Sequence, residues 1–168
     1  MHDATVVRDA MPTDAAACAA IYAPYVRDTA VSFELEPPTA DEVGARIAAA
    51  QVEHAWLVAV RDGHVVGYAY AGRFAARPAY RFASETTVYL SPAARGAGLG
   101  RRLYEVLHQR LAERGTTTVL AGMTLPNEAS AGLHRALGYE LAGTYRRVGF
   151  KHGAWHDVAW FQKQLNDL

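Results

Sequence analysis

The chain has 168 residues, 51% of them hydrophobic and 20% charged, with 17 basic side chains against 17 acidic ones. This predicts one domain over 1–168, large enough to bury roughly 70% of its unfolded surface. The balanced charge leaves no global field for nucleic acid or an anionic membrane, so any anion must be held locally. The opening MHDATVVRDAMP lacks the apolar stretch of a secretory signal, no apolar run approaches bilayer length, and a lone Cys18 excludes an internal disulfide; together these fit a cytoplasmic protein.

Thr5 to Arg8 reads as a short strand, and Pro12-Thr13-Asp14 as the start of a helix over Ala15 to Val26 with Cys18, Ile21, Tyr22 and Tyr25 on one face. Arg27 to Pro38 reads as a loop. Thr39 and Glu42 form a capping box for a helix to about Ala50. Ala55 to Val60 and His64 to Ala71 are predicted strands around Asp62-Gly63, a dipeptide suited to a type I′ turn. Phe82 to Leu90 is a third strand and Leu99 to Arg114 a strongly periodic helix. A strand over Thr116 to Met123 and a helix over Asn127 to Leu137, capped by Asn127, come next. Tyr139 to Val148 and Trp155 to Leu165 close the chain as a strand pair. The expected fold is mixed α/β: an antiparallel meander, then strand–helix–strand–helix, then a hairpin.

The chemistry concentrates in SETTVYLSPAARGAGLGRR, residues Ser84 to Arg102. Arg95, Gly96, Ala97, Gly98, Leu99, Gly100 and Arg101 lie between a strand and a helix. Glycines there allow close backbone approach, and the unpaired first-turn amides and the helix dipole favour an anion such as pyrophosphate. Arg95, Arg101 and Arg102 can add charge-assisted hydrogen bonds. A P-loop needs Gly-Lys-Ser/Thr, which is absent. A Rossmann fingerprint wants glycine where Arg101 stands and a loop after the first strand of a parallel unit, whereas here a meander precedes it. A turn with no ligand is the remaining alternative.

The Arg-x-x-Gly-x-Gly loop in this element order resembles the acetyl-CoA site of the GNAT N-acetyltransferase superfamily. The phosphinothricin/methionine sulfoximine N-acetyltransferase branch is the nearest in pattern. The resemblance rests on Ser32-Phe33 with Glu36-Pro37, Gly67-Tyr68-Ala69-Tyr70-Ala71-Gly72, Glu85-Thr86-Thr87-Val88-Tyr89, Leu133-His134-Arg135-Ala136-Leu137-Gly138-Tyr139, and Lys151-His152-Gly153-Ala154-Trp155-His156-Asp157.

The resemblance implies a GNAT fold and transfer of acetyl from acetyl-CoA to a small amino-acid-like amine by direct transfer in a ternary complex. A polyamine, a protein N-terminus or a catalytically silent acyl-CoA sensor are the alternatives. Glu85 would be the general base. Backbone groups of Val88, Tyr89 and Leu90 would hold the pantetheine arm, Gly96 to Arg101 the pyrophosphate, and Asn127 would lie near the cofactor as well as capping its helix. His134 stands where many GNAT enzymes have a tyrosine acid; an imidazole can donate that proton, or simply pack at the cofactor edge. Phe33, Arg77, Pro78, Ala79 and Tyr80 would face the acceptor, an arginine suiting a carboxylate or phosphinate. Alone, Arg73, Arg77 and Arg81 read as surface charges, and Glu34 as a group that repels an anionic acceptor. Related enzymes are commonly homodimers, and Trp155, Trp160 and Phe161 would face either a partner or the core. His152 and His156 read as one strand face, too far apart to chelate, so no metal is expected.

Overall fold

The computed structural model describes residues 4–166. Seven strands form one sheet in the order β1-β2-β3-β4-β5-β7-β6. β1 (Val6–Asp9), β2 (Trp56–Arg61), β3 (His64–Arg73) and β4 (Ala83–Leu90) make an antiparallel meander. β5 (Thr118–Thr124) joins β4 in parallel, and the hairpin of β6 (Glu140–Lys151) and β7 (Ala154–Gln164) completes the sheet through β7. Helices α1 (Ala15–Asp28) and α2 (Ala40–Glu53) precede β2; α3 (Leu99–Glu113) links β4 to β5, and α4 (Glu128–Ala136) links β5 to β6.

Local signals explain most of these boundaries. Thr39 Oγ1 accepts from the Glu42 amide at 3.2 Å while the Glu42 carboxylate accepts from the Thr39 amide at 2.7 Å, the reciprocal cap that starts α2. Asp62 and Gly63 adopt φ of 50° and 79°, so the β2–β3 turn has two left-handed positions. The second hairpin turns in the same way at His152 and Gly153, with φ of 53° and 73°. This corrects the expectation that His152 shares a strand face with His156. β6 also runs three residues past Val148, because the partner strand extends it to Lys151↔Ala154.

The strand period sorts residues onto two faces. On one, Leu99, Leu103, Leu107 and Leu111 of α3 recur every four residues and are at most 1% exposed, packed against Val119, Ala121, Ala159 and Phe161. Each such leucine contributes roughly 1.5–3 kcal/mol of burial. On the other, α1 (Cys18, Tyr22, Val26) and α2 (Val43, Ile47, Ala50) cover Trp56, Val58 and Tyr68. That second cluster takes no residue from β5 or β7, leaving their half of the face to loops and aromatic side chains. The parallel ladder between β4 and β5 is confined to Ala83–Glu85 against Thr118–Leu120. Past Glu85 the two strands part.

Candidate active site

The parting of β4 and β5 opens a gap through the sheet lined by Thr86, Val88, Tyr89, Gly122, Thr124, Asn127, Ser130 and His134. It continues into a groove of about 500 Å³ between the end of β4, the loop before α3 and the start of α4. Val88, Tyr89, Leu90, Arg95, Gly96, Gly98, Leu99, Gly100, Arg101 and Asn127 all line that groove, so the structure brings together the residues expected around the cofactor, Ala97 being carried between two of them.

Gly96 and Gly98 sit at φ of 79° and 73°, which a side chain would strain. Gly98 is the N-cap of α3, and no side chain caps it. The amides of the first turn therefore point at the groove with their dipole unanswered by protein, as an anion site requires. Of the three arginines, Arg95 is held by the Tyr25 hydroxyl at 2.8 Å, Arg101 pairs with Glu105 at 2.8 Å, and Arg102 turns away to the Thr5 carbonyl at 2.8 Å. Arg102 is thus a tie to the start of β1 rather than a phosphate ligand. Asn127 caps α4 by accepting from the Ser130 amide at 3.1 Å, and it also lines the groove.

Glu85 is the last β4 residue paired with β5, on the face opposite Ser84 and Thr86. Burial alone raises its pKa above the ordinary carboxylate value. It has no hydrogen-bond or ion-pair partner among the described residues. It is thus a half-buried carboxylate at the point where β4 and β5 part. Thr87 follows it on the same face across from Tyr70, and Leu120 and Gly122 flank it on β5. The Trp160 ring lies over Gly122, close enough that a Cβ there would meet it at 3.0 Å. Phe74 stacks edge-on against both Trp160 and Tyr80.

His134 sits where α3 and α4 meet. Its Nδ1 lies 2.7 Å from the Ser130 carbonyl, which can only accept, so Nδ1 carries the proton; Nε2 then accepts from the Tyr104 hydroxyl at 2.9 Å. The ring is 3% exposed, and burial holds its pKa below the ordinary histidine value. Both ring nitrogens are engaged within the protein, so His134 joins α3 to α4 while its ring lines the gap.

Arg77 and Pro78 are a correction. They line a separate cavity of about 300 Å³ with Glu53, His54, Arg73, Arg81 and Arg114, at the end of β4 away from the groove. The short helical turn Pro78–Tyr80 carries the chain from there back to the Glu85 face, with Ala79 exposed between. Tyr80 therefore joins the aromatic wall while Arg77 does not. Phe33 lies against Gly149 and beside His156, its ring centroid 6.2 Å from the imidazole. Glu34 is answered by both Arg46 nitrogens at 2.9 and 2.6 Å and by the Tyr22 hydroxyl, and Arg46 holds its carboxyl below the usual range, so it presents no free charge to an anionic acceptor.

The chain matches the acetyltransferase (GNAT) domain family over residues 7–160. It belongs to the GNAT acetyltransferases. A phosphinothricin N-acetyltransferase of Streptomyces viridochromogenes is 41% identical over 95% of this chain and 87% of its own length. An L-methionine sulfoximine/L-methionine sulfone acetyltransferase of Salmonella typhimurium is 33% identical over 96% of this chain and 95% of its own. A GNAT phosphinothricin acetyltransferase of Sinorhizobium meliloti, solved with acetyl-CoA, superposes with a TM-score of 0.91 at 38% identity, covering 95% of this chain and 88% of that one. In this GNAT enzyme the cosubstrate is acetyl-CoA, and the groove's glycine loop and free helix amides suit its pyrophosphate.

Several groups around the GNAT site escaped sequence reasoning. Tyr25, read only as part of the buried face of α1, donates to the Leu90 carbonyl at 2.6 Å and receives Arg95. Val31 and Ser130 line both the gap and the groove. Trp160 reads in sequence as core or partner contact, and the alternation of β7 alone puts it opposite the buried Phe161.

Proposed function

We propose that this GNAT enzyme acetylates the α-amine of a small amino acid of the phosphinothricin or methionine sulfoximine type, in the cytoplasm, by direct attack on acetyl-CoA. The observation that carries this reading is Glu85: an unpartnered, half-buried carboxylate where β4 and β5 part, with an anion-binding groove at one end of the gap and an aromatic wall at the other. Glu85 takes a proton from the ammonium, directly or through a water, and the freed amine attacks the thioester carbonyl, which lies against the backbone edge of Val88 to Leu90 that β5 has vacated. The C–S bond breaks, the acetyl group stays on nitrogen, and the proton that the nitrogen sheds as the amide forms neutralises the departing thiolate, which leaves toward the groove. Phe33, Trp160, Phe74 and Tyr80 enclose a small acceptor body.

Direct transfer is favoured over a covalent acyl-enzyme because the hydroxyls lining the gap are not activated: Ser130 Oγ lies 3.3 Å from His134 Nδ1, which is committed to the Ser130 carbonyl at 2.7 Å, and Thr86 is bonded to the Tyr139 hydroxyl at 3.0 Å. Cys18 is fully buried on the sheet-facing side of α1 and burial pushes its thiol up to about 12. The Ser84 hydroxyl faces away from Glu85 toward His54 and Thr116, at 3.4 and 3.3 Å.

The test is thiol release from acetyl-CoA over a panel of amines. Release is expected with phosphinothricin, methionine sulfoximine or methionine sulfone. Release only with polyamines or peptide N-termini would replace the acceptor, and tight acetyl-CoA binding without release for any amine would make the protein a sensor.

A homodimer is part of the same reading. β6 is an edge strand whose exposed Leu141, Tyr145, Val148 and Phe150, with Trp155 on β7, form an apolar strip that a second copy would cover. Sedimentation should give twice the chain mass, and Phe150→Glu should return it to one; a monomer in the unaltered protein would refute the dimer.

A further inference from the structure

Among the described residues, one fully satisfied buried charge lies outside the chemistry described so far. Lys151, at the end of β6, is 3% exposed. Its Nζ donates to the carbonyls of Val26 at 2.6 Å, Ser32 at 2.7 Å and Glu34 at 2.8 Å. An ammonium has three donors, and all three are spent on backbone. Val26 O is one of the last-turn carbonyls of α1, which has no helical partner of its own. Ser32 and Glu34 are the two neighbours of Phe33. A buried ammonium answered by neutral carbonyls loses the hydration it would have on the surface. What it gains is geometry: one atom ties the end of α1 to both flanks of Phe33.

The same strand supplies the seat for the ring. Gly149, two residues before Lys151, lies so close under Phe33 that an added Cβ would fall 2.2 Å from two of its ring carbons. The rest of the loop is tied as well, since Ser32 Oγ meets the Tyr22 hydroxyl at 2.6 Å and the Glu34 amide at 3.1 Å. Val31 in the same loop lines the gap beside Glu85's strand. We infer that Lys151 is a positioning residue and that, with Gly149, it sets the height of Phe33 and thereby which acceptors fit. This rests on the acceptor side of the reading above.

The test compares Lys151→Met, Lys151→Arg and Gly149→Ala with the unaltered enzyme, using methionine sulfoximine, methionine sulfone and phosphinothricin as acceptors. Removing the ammonium frees the loop, so acceptor KM should rise about tenfold or more in Lys151→Met while kcat at saturation falls much less. Arginine is not expected to rescue, because a planar fork does not reproduce three converging bonds from one nitrogen. Gly149→Ala keeps every Lys151 bond yet displaces the ring, so it should change the ranking of the three acceptors and leave acetyl-CoA affinity within about twofold. Amide hydrogen exchange over residues 29–36 should quicken in Lys151→Met and not in Gly149→Ala. That readout needs no turnover, so it stands even if the unaltered enzyme acetylates none of the three, a result that would sink the acceptor reading instead. The inference is overturned if Lys151→Met leaves loop exchange and acceptor KM unchanged. It is equally overturned if Lys151→Met and Gly149→Ala both lose kcat, both KM values and thermal stability in proportion, which is what a merely structural role predicts.

Discussion

The two ends of the gap are built from different materials. On the cofactor side, one unbroken segment from Val88 to Arg101 supplies most of the lining, and what it offers is backbone: strand edge, positive-φ glycines and helix amides. On the proposed acceptor side the groups are side chains from three separate stretches, namely Phe33, then Phe74, Tyr80 and Glu85, and finally Trp160. Backbone geometry recognises what all acyl-CoA molecules share, whereas side-chain shape recognises what distinguishes one amine from another. The contrast teaches that the generic half of this enzyme is local in sequence and the specific half is not.

The largest expected effect removes the one group that joins the halves. Glu85→Gln keeps the shape and loses the base, so kcat should fall about 10²–10⁴-fold with acetyl-CoA affinity nearly unchanged. The pH profile carries the sign. Glu85 works only when deprotonated, and burial raises its pKa, so kcat/KM should climb as pH rises through a value above the ordinary carboxylate range. In Glu85→Gln that limb should vanish. Unchanged turnover in the variant would remove Glu85 as the base.

Next in size is a break confined to the cofactor side. At φ of 73°, Gly98 tolerates no β-branched residue without strain, and nothing lies within 4 Å of where its Cβ would stand. Gly98→Val should therefore distort the loop, weakening acetyl-CoA binding about tenfold or more by calorimetry while the fold survives. A selective loss for one acceptor, rather than for acetyl-CoA, would dissolve the division between the halves.

The same contrast explains what could be read from the chain unaided. The order of elements along the chain, the capping box at Thr39, the Asp62-Gly63 turn and the glycine loop are each signalled by neighbours within a few residues, and the structure contains them. Glu85 stood out because an acid interrupts a β-branched run next to that loop. Arg77 was misplaced because the turn Pro78–Tyr80 reverses the chain between it and Tyr80, sending two near neighbours to different cavities. The partners of His134, Tyr104 on α3 and the Ser130 carbonyl one turn back, engage both ring nitrogens in a way that no spacing reveals. Lys151 reads as an ordinary hairpin lysine until the fold brings three carbonyls around it, the farthest 125 positions away in sequence.

The smallest effect tests whether the cofactor side is truly a backbone site. Tyr25 is its main side-chain brace, donating to the Leu90 carbonyl at 2.6 Å and receiving Arg95 at 2.8 Å, with the guanidinium 5.3 Å from its ring centre. Tyr25→Phe keeps the ring, so stacking beneath Arg95 and packing against Tyr89 should persist. It removes only the hydroxyl. The Leu90 carbonyl then meets the open groove and can be hydrated, which spares it the full cost of a buried unsatisfied acceptor. A net hydrogen bond is worth about 0.5–1.5 kcal/mol, so acetyl-CoA affinity should weaken about three- to tenfold, less than in Gly98→Val. If instead affinity collapses about a hundredfold, the amides of α3 are not sufficient, and the phosphate grip depends on Arg95 being aimed by Tyr25.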